Sequence, residues 1–334
     1  MLDDRKAAIL RAVVEEYIET AQPVGSGHVA AAPGVDVSSA TIRNEMAQLE
    51  ADGYLLQPHT SAGRVPTEKG YRFFVDHLRG PVRLPGASAE QVRAFFQRAH
   101  GEVEDMLAAT GRLLSNLTDL ASVVVSPSSA EATVRSVQLV GLTSSAALVV
   151  LVLSDGSIEK HALEPPEGAG DERLGAATAH LTLHLRDASR SSLPVVPATG
   201  DETTDDLVLR ALDALSPDEP RDGMSHLYID GTFRVAQAFD AIETVRSVLG
   251  ILEQQYVVVT LLRDVLDRGL QVAIGSETGV APLAECALVV APYEIEGERF
   301  GTIGVLGPTR MNYPQALAAV AVVSDRLSDR LAEG

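Results

Sequence analysis

The chain has 334 residues, 46% hydrophobic and 4% aromatic, with a formal net charge of -19 at pH 7; that length accommodates two or three domains, each with its own core. Its single cysteine, Cys286, excludes an intrachain disulfide. The most apolar runs, 146–153 and 256–262, fall far short of the roughly 20 residues that span a bilayer. With an opening, MLDDRKAAIL, that lacks the plan of a signal peptide, a cytoplasmic protein with no membrane association is expected.

Leu10, Val13, Val14, Tyr17 and Ile18 recur at helical spacing and predict a first helix over 3–20, ending before Pro23. Ser26 is placed to cap a short second helix through Ala32, and Pro33 with Gly34 turns the chain. A third helix starts at Ser38 or Ser39, since Ile42, Met46 and Leu49 lie at i, i+4 and i+7 and form one apolar stripe. Its other face carries Ala40, Thr41, Arg43, Asn44, Ala47 and Gln48. That mixture suits a major groove, where a forked Arg matches the two acceptors of guanine, an Asn or Gln amide matches adenine, and small residues permit close approach. Arg43 and Asn44, with Thr41 and Gln48, are the candidates for base contact.

Gly53 ends this helix, 54–58 is extended, and the small polar run His59, Thr60, Ser61, Ala62, Gly63 and Arg64 reads as the tip of a wing. Such a tip lies along phosphates, where hydroxyls, backbone N–H groups and cations position a protein without specifying sequence. Ser39, His59, Thr60, Ser61, Gly63, Arg64, Lys69 and Arg72 are the candidates for that role. Thr67 caps a further helix through Leu78 that carries Tyr71, Phe74, Val75 and Leu78 on one side. The overall acidity opposes a nucleic-acid reading, but residues 1–80 contain eight Lys and Arg against eleven acids, which leaves -3 here and -16 in the remainder. Binding must therefore rest on the local placement of Arg43, Arg64, Lys69 and Arg72.

The segment 80–88, GPVRLPGAS, reads as a linker. One long helix is predicted over 89–120, followed by β-branched strands at 123–125, 134–142, 146–153 and 158–163. Acidic loops at 164–170, 200–206 and 216–223 alternate with helical pieces at 171–186 and 205–215. Helices at 239–250 and 256–267 come next, then strands at 270–275, 286–292 and 298–306 and a last helix over 314–331. Three strands and a long helix resemble the ending of a GAF domain.

No catalytic constellation stands out. Gly301, Gly304 and Gly307 match neither the dinucleotide fingerprint nor the phosphate loop and read as turn glycines. His180 and His184 are four apart with no third ligand assigned, so they read as surface residues. Arg310 has three readings: it pairs with an acidic group, locks the last helix, or marks a phosphate site.

The run SSATIRNEMAQLEADGYLLQPHTSAGRVPTEKGYRFFVDHL, from Ser38 to Leu78, resembles the signature of the HrcA family of bacterial repressors. IGSE at 274–277 and GVLGPTRMNY at 304–313 resemble that family's second block. The resemblance departs at Gly27, where the family commonly places a basic residue. It implies a multidomain α+β protein: a winged helix-turn-helix at 1–80, a GAF-like α/β domain with an antiparallel sheet at 88–164 and 266–334, and an inserted dimerisation domain at 165–265. It further implies a negative regulator of heat-shock chaperone operons that binds the CIRCE inverted-repeat operator on double-stranded DNA as a homodimer and is kept active by GroEL. No enzymatic activity, metal or cofactor is implied. A regulator whose GAF-like domain responds to a small molecule is the alternative.

Overall fold

The structure, a computed structural model, describes residues 2–35, 37–59, 63–78, 84–98, 103–126, 132–143, 145–154, 158–190, 192–215, 227–239, 241–269, 271–295 and 297–333. The chain divides into two compact units. One comprises Met1–Ala99, Ala108–Val124 and Tyr228–Gly334; the other comprises His100–Leu107 and Val125–Leu227.

In the first unit, α1 (Asp4–Thr20) is capped by Asp3, whose carboxylate accepts from the Lys6 N–H at 2.8 Å. It stops at Ala21, which takes a left-handed conformation. The short α2 spans Ser26–Val29 and is preceded by Gly25 at the cap; Ser26, expected to cap, lies inside the helix. Then come α3 (Ser39–Ala51), β1 (Leu55–Leu56), β2 (Val65–Pro66) and α4 (Glu68–Asp76). Strands β1 and β2 are antiparallel, with Leu55 opposite Pro66 and Leu56 opposite Val65. Val24 adds a bridge by exchanging both backbone hydrogen bonds with Arg64, at 2.9 and 2.8 Å. Ile9, Leu10, Val13 and Val14 of α1 are buried, as are Ile42, Met46 and Leu49 of α3. Three helices are thus closed by a small antiparallel sheet.

After α5 (Gly86–Arg98) and α6 (Val103–Thr118), the strand β3 (Ala121–Val125) is buried along its whole length. The predicted single helix over 89–120 is therefore two helices. Strands β4 (Val134–Thr143), β5 (Ala146–Leu153) and β6 (Ile158–Leu163) precede helices α7 (Asp171–Leu185) and α8 (Glu202–Leu215). There follow β7 (Leu227–Asp230), α9 (Thr232–Ala238), α10 (Ile242–Leu252) and α11 (Gln255–Asp267). Strand β8 (Val272–Ile274) leads into 3-10 turns at Gly275–Thr278 and Ala281–Leu283, then β9 (Cys286–Ile295), β10 (Glu298–Pro308) and α12 (Tyr313–Glu333).

The first unit's larger sheet has the order β7-β3-β10-β9-β8. Both described pairings at β9 are antiparallel: Val289 faces Val305 of β10 and Val272 of β8. Helix α12 packs on β9 with Ala316, Val320, Val323 and Leu327 buried. Ile251 and Leu252 of α10 and Val258, Leu261 and Leu262 of α11 meet Val123, Leu288 and Leu306 of the sheet.

The second unit has its own antiparallel sheet, β4-β5-β6, in which Val149 sits opposite Leu139 and His161. Along β5 every second residue is buried, the period of a strand with one face on a core. That face meets Leu174, Ala177 and Leu181 of α7 and Leu207 and Ala211 of α8. The plan that the family resemblance implies sets β4–β6 with the C-terminal strands and begins the insert at 165. The structure instead gives these strands a separate core closed by α7 and α8. It returns residues from Tyr228 onward to the first unit, where α10 and α11 cover the five-stranded sheet. Strand β7 and helix α9 were not anticipated.

Candidate nucleic-acid interface

Ser38 starts α3 in extended conformation, and its Oγ accepts from the Thr41 N–H at 3.2 Å and lies 2.9 Å from the Thr41 hydroxyl. Thr41 is thus drawn into the cap and is half-exposed. Ser39 Oγ lies 3.0 Å from Ser26 Oγ, which ties the start of α3 to α2 across the helix-turn-helix corner. With Ile42, Met46 and Leu49 buried, Ala40, Arg43, Asn44, Ala47 and Gln48 are all exposed. Residues three and four apart are neighbours on a helix surface, so these five form one face. Among the described residues, the side chains of Arg43, Asn44 and Gln48 make no hydrogen bond or ion pair. A guanidinium and two amides held outward beside two alanines can offer donors and acceptors to base edges without first breaking an internal bond.

The wing candidates separate into different roles. His59 is exposed, and Thr60 and Ser61 lie outside the described residues. A Cβ at Gly63 would lie 2.4 Å from the Val24 carbonyl oxygen, so the bare backbone there permits the Val24–Arg64 bridge. Arg64 donates from Nε to Glu50 Oε2 at 2.8 Å and is 17% exposed. Its side chain ties the start of β2 to the last turn of α3. Lys69 Nζ donates to the Asp52 carbonyl at 2.8 Å and stands 4.2 Å above the Tyr54 ring. That places a cation at the C-terminus of α3, where the helix dipole favours one.

Arg72, expected on the DNA backbone, is held by partners within the first unit. Its Nε donates to Glu277 Oε1 at 2.9 Å, its Nη2 to Glu277 Oε2 and to the Val272 carbonyl, and its Nη1 to Asp76. The guanidinium is satisfied within the first unit, and side-chain hydrogen bonding to Glu277 raises its pKa. Sequence reasoning missed Glu50 and Glu277. Glu277 stands inside the IGSE stretch, so the motif contained it without disclosing its partner.

Arg310 Nη2 donates to the Ala238 carbonyl at 2.9 Å, which ties the segment before α12 to the end of α9. His180 Nε2 bonds the Pro197 carbonyl at 2.7 Å, and His184 Nδ1 bonds the His180 carbonyl at 2.9 Å. Among the described residues no cluster of three or more His, Cys, Asp or Glu is placed to hold a metal ion, and no single helix is long and apolar enough to cross a membrane. Cys286 is buried, and desolvation, with Glu285 nearby, pushes its thiol up to about 12, which marks a packed side chain and not a nucleophile.

Residues 104–317 match the family described as HrcA protein C terminal domain. The chain is 37% identical to the heat-inducible transcription repressor HrcA of Pelotomaculum thermopropionicum, over 99% of this chain and 97% of that one. It is 37% identical to the protein of the same name from Mycobacteroides abscessus, over 99% and 98%. The Streptomyces avermitilis repressor is 35% identical over 100% of both chains. A crystal structure of a hypothetical protein has a TM-score of 0.71 at 23% identity, covering 100% of this chain and 99% of that one, and so shares the fold.

Proposed function

The chain belongs to the HrcA family of heat-inducible transcription repressors, and from that premise we propose that it represses heat-shock chaperone operons by gripping the CIRCE inverted repeat as a homodimer, with GroEL holding it active. The observation that carries this reading is the outward face of α3, where Arg43, Asn44 and Gln48 are exposed beside two alanines and have no partner among the described residues. Helix α3 enters the major groove, Arg43 reads a guanine and Asn44 an adenine, and Thr41 and Gln48 flank them. Ser39, His59, Thr60, Ser61 and Gly63 lie against the phosphates. The relatives are repressors, a role without catalysis.

A two-fold dimer presents two such helices at fixed separation, so a palindromic site doubles the contacts and makes spacing part of specificity. Because Arg64, Lys69 and Arg72 are engaged internally, few cations remain to neutralise phosphates. Non-specific affinity is correspondingly low, and discrimination rests on base contacts. The five-stranded sheet with α12 serves as the GAF-like domain, and the unit built on β4–β6 as the inserted dimerisation domain.

The deciding experiment is fluorescence anisotropy of the full chain on a duplex bearing the inverted repeat and on its scrambled counterpart, at one salt concentration. Tight binding to the repeat alone is expected. Equal binding by demonstrably folded protein would overturn the reading.

A further inference from the structure

Helix α4 follows the wing directly and carries Glu68 and Arg72 four residues apart, the order in which an acid and a base ordinarily pair along a helix. They do not pair with each other. Glu68 accepts from the Ser276 N–H at 3.0 Å and from the Ser276 hydroxyl, while Arg72 is bound by both carboxylate oxygens of Glu277. Both partners belong to one 3-10 turn, Gly275–Thr278, which lies 205 residues away from Arg72 in the chain at Glu277.

The turn is shaped to receive α4. The Ile274 N–H donates to Glu277 Oε2 at 2.9 Å and so aims the carboxylate before Arg72 reaches it. Gly275 has φ of +54°, and a Cβ there would lie 2.1 Å from Glu68 Oε1; only glycine suits both the backbone and the approach. Beneath the charges, the rings of Tyr71 and Phe74 lie 5.9 and 6.5 Å from that of the fully buried Tyr313. An apolar contact alone is non-directional and permits swivelling. Two polar anchors about one helical turn, ~5.4 Å, apart on α4 remove that rotation.

The orientation passes on to the reading helix. Thr67 Oγ1 donates to the Gly53 carbonyl at 2.7 Å, Lys69 Nζ to the Asp52 carbonyl, and Tyr54 meets Phe73 edge-on, so α4 and the end of α3 move together. We propose that Arg72 and Glu277 are positioning residues for DNA recognition, forming a joint that fixes the winged helix on the five-stranded sheet and thereby sets the separation at which two copies engage an operator. The final clause rests on the dimeric operator reading above; the joint itself does not.

Full-length Glu277→Gln and Arg72→Gln are compared with the parent on a half-site duplex, on the intact repeat, and on repeats whose arms are moved apart by whole base pairs. Glu277→Gln is expected to bind the half-site like the parent, to bind the intact repeat roughly tenfold more weakly as the effective concentration of the second head falls, and to discriminate less between spacings. Unchanged or tighter binding to the intact repeat would overturn the proposal, as would an equal loss on the half-site. Loss on the half-site by Arg72→Gln alone would return Arg72 to the phosphates and overturn its positioning role.

A measurement without DNA keeps the joint and the operator reading separable. Spin labels at Glu19→Cys in α1 and Asp325→Cys in α12 occupy exposed positions, and the native Cys286 is buried. With labelled chains diluted in unlabelled protein, a narrow distance distribution in the parent should broaden in Glu277→Gln. Equal widths would sink the joint even if the operator is bound; a parent that ignores the inverted repeat would sink the operator reading while leaving this result to decide the joint.

Discussion

Helices α3 and α4 are neighbours in the chain and meet their surroundings in opposite ways. On α3, Arg43, Asn44 and Gln48 are exposed with no partner among the described residues. On α4, Glu68, Lys69, Arg72 and Asp76 all hold hydrogen bonds or ion pairs. A polar face with unspent donors is a surface kept for another molecule, because water is the only thing it must give up. A polar face whose donors are spent is already a joint, and recruiting it for DNA would first cost the bonds it makes.

That contrast can be broken most forcefully from the buried side of α3. Leu49→Ala should lower stability by about 2–5 kcal/mol through the cavity it leaves, read in urea unfolding; a smaller loss would mean that the apolar stripe does not hold the helix. Next in size, Arg43→Ala should cost about 1–3 kcal/mol on the operator and little on random DNA, with unfolding unaffected. Equal losses on both duplexes would make Arg43 a phosphate contact.

On α4 and the turn that receives it, the same contacts should also register in stability. Burial works to raise the Glu277 carboxyl, but hydrogen bonds from Arg72 and the Ile274 N–H outweigh it and hold its pKa below the ordinary 4.5. A depressed folded value means that the stabilisation is complete above the ordinary pKa and is lost as pH falls through the depressed one. Glu277→Gln should therefore cost about 1 kcal/mol at neutral pH, with its unfolding curve converging on the parent's in acid. A gap that persists at low pH would assign the cost to packing. Smallest of all, Lys69→Ala should lose about 0.5–1 kcal/mol of stability with the cation over Tyr54 and leave affinity for the half-site unchanged. A loss of affinity on every sequence alike would put Lys69 on a phosphate.

What the sequence disclosed was local. The stripe of Ile42, Met46 and Leu49, the caps Ser38 and Thr67, the stop at Gly53 and the three strands before α12 all follow from residues within a few positions of one another, and each stands where periodicity and capping put it. The partners of Arg64, Lys69 and Arg72 lie 14, 17 and about 205 residues away, and nothing in a linear pattern distinguishes a cation facing phosphate from one facing a distant carboxylate. The division into units was obscured for a related reason. Alternation along β5 reveals that one face is buried, but not whether α7 and α8 or the helices near the C-terminus will cover it. Strand β7 is only four residues long, too short for any period to declare itself.

The placement of β7 beside β3 has a consequence for the chain as a polymer. The path leaves the five-stranded sheet at the end of β3, builds the second unit's sheet and helices α7 and α8, and comes back to an adjacent strand. To the sheet this excursion is one loop, and the entropy of closing a loop rises only with the logarithm of its length. Because the loop's contents fold on their own core, even that modest charge is offset within the excursion. The sheet is thus topologically indifferent to what hangs between β3 and β7, and a short glycine-bearing turn in its place should leave the strand order β7-β3-β10-β9-β8 intact.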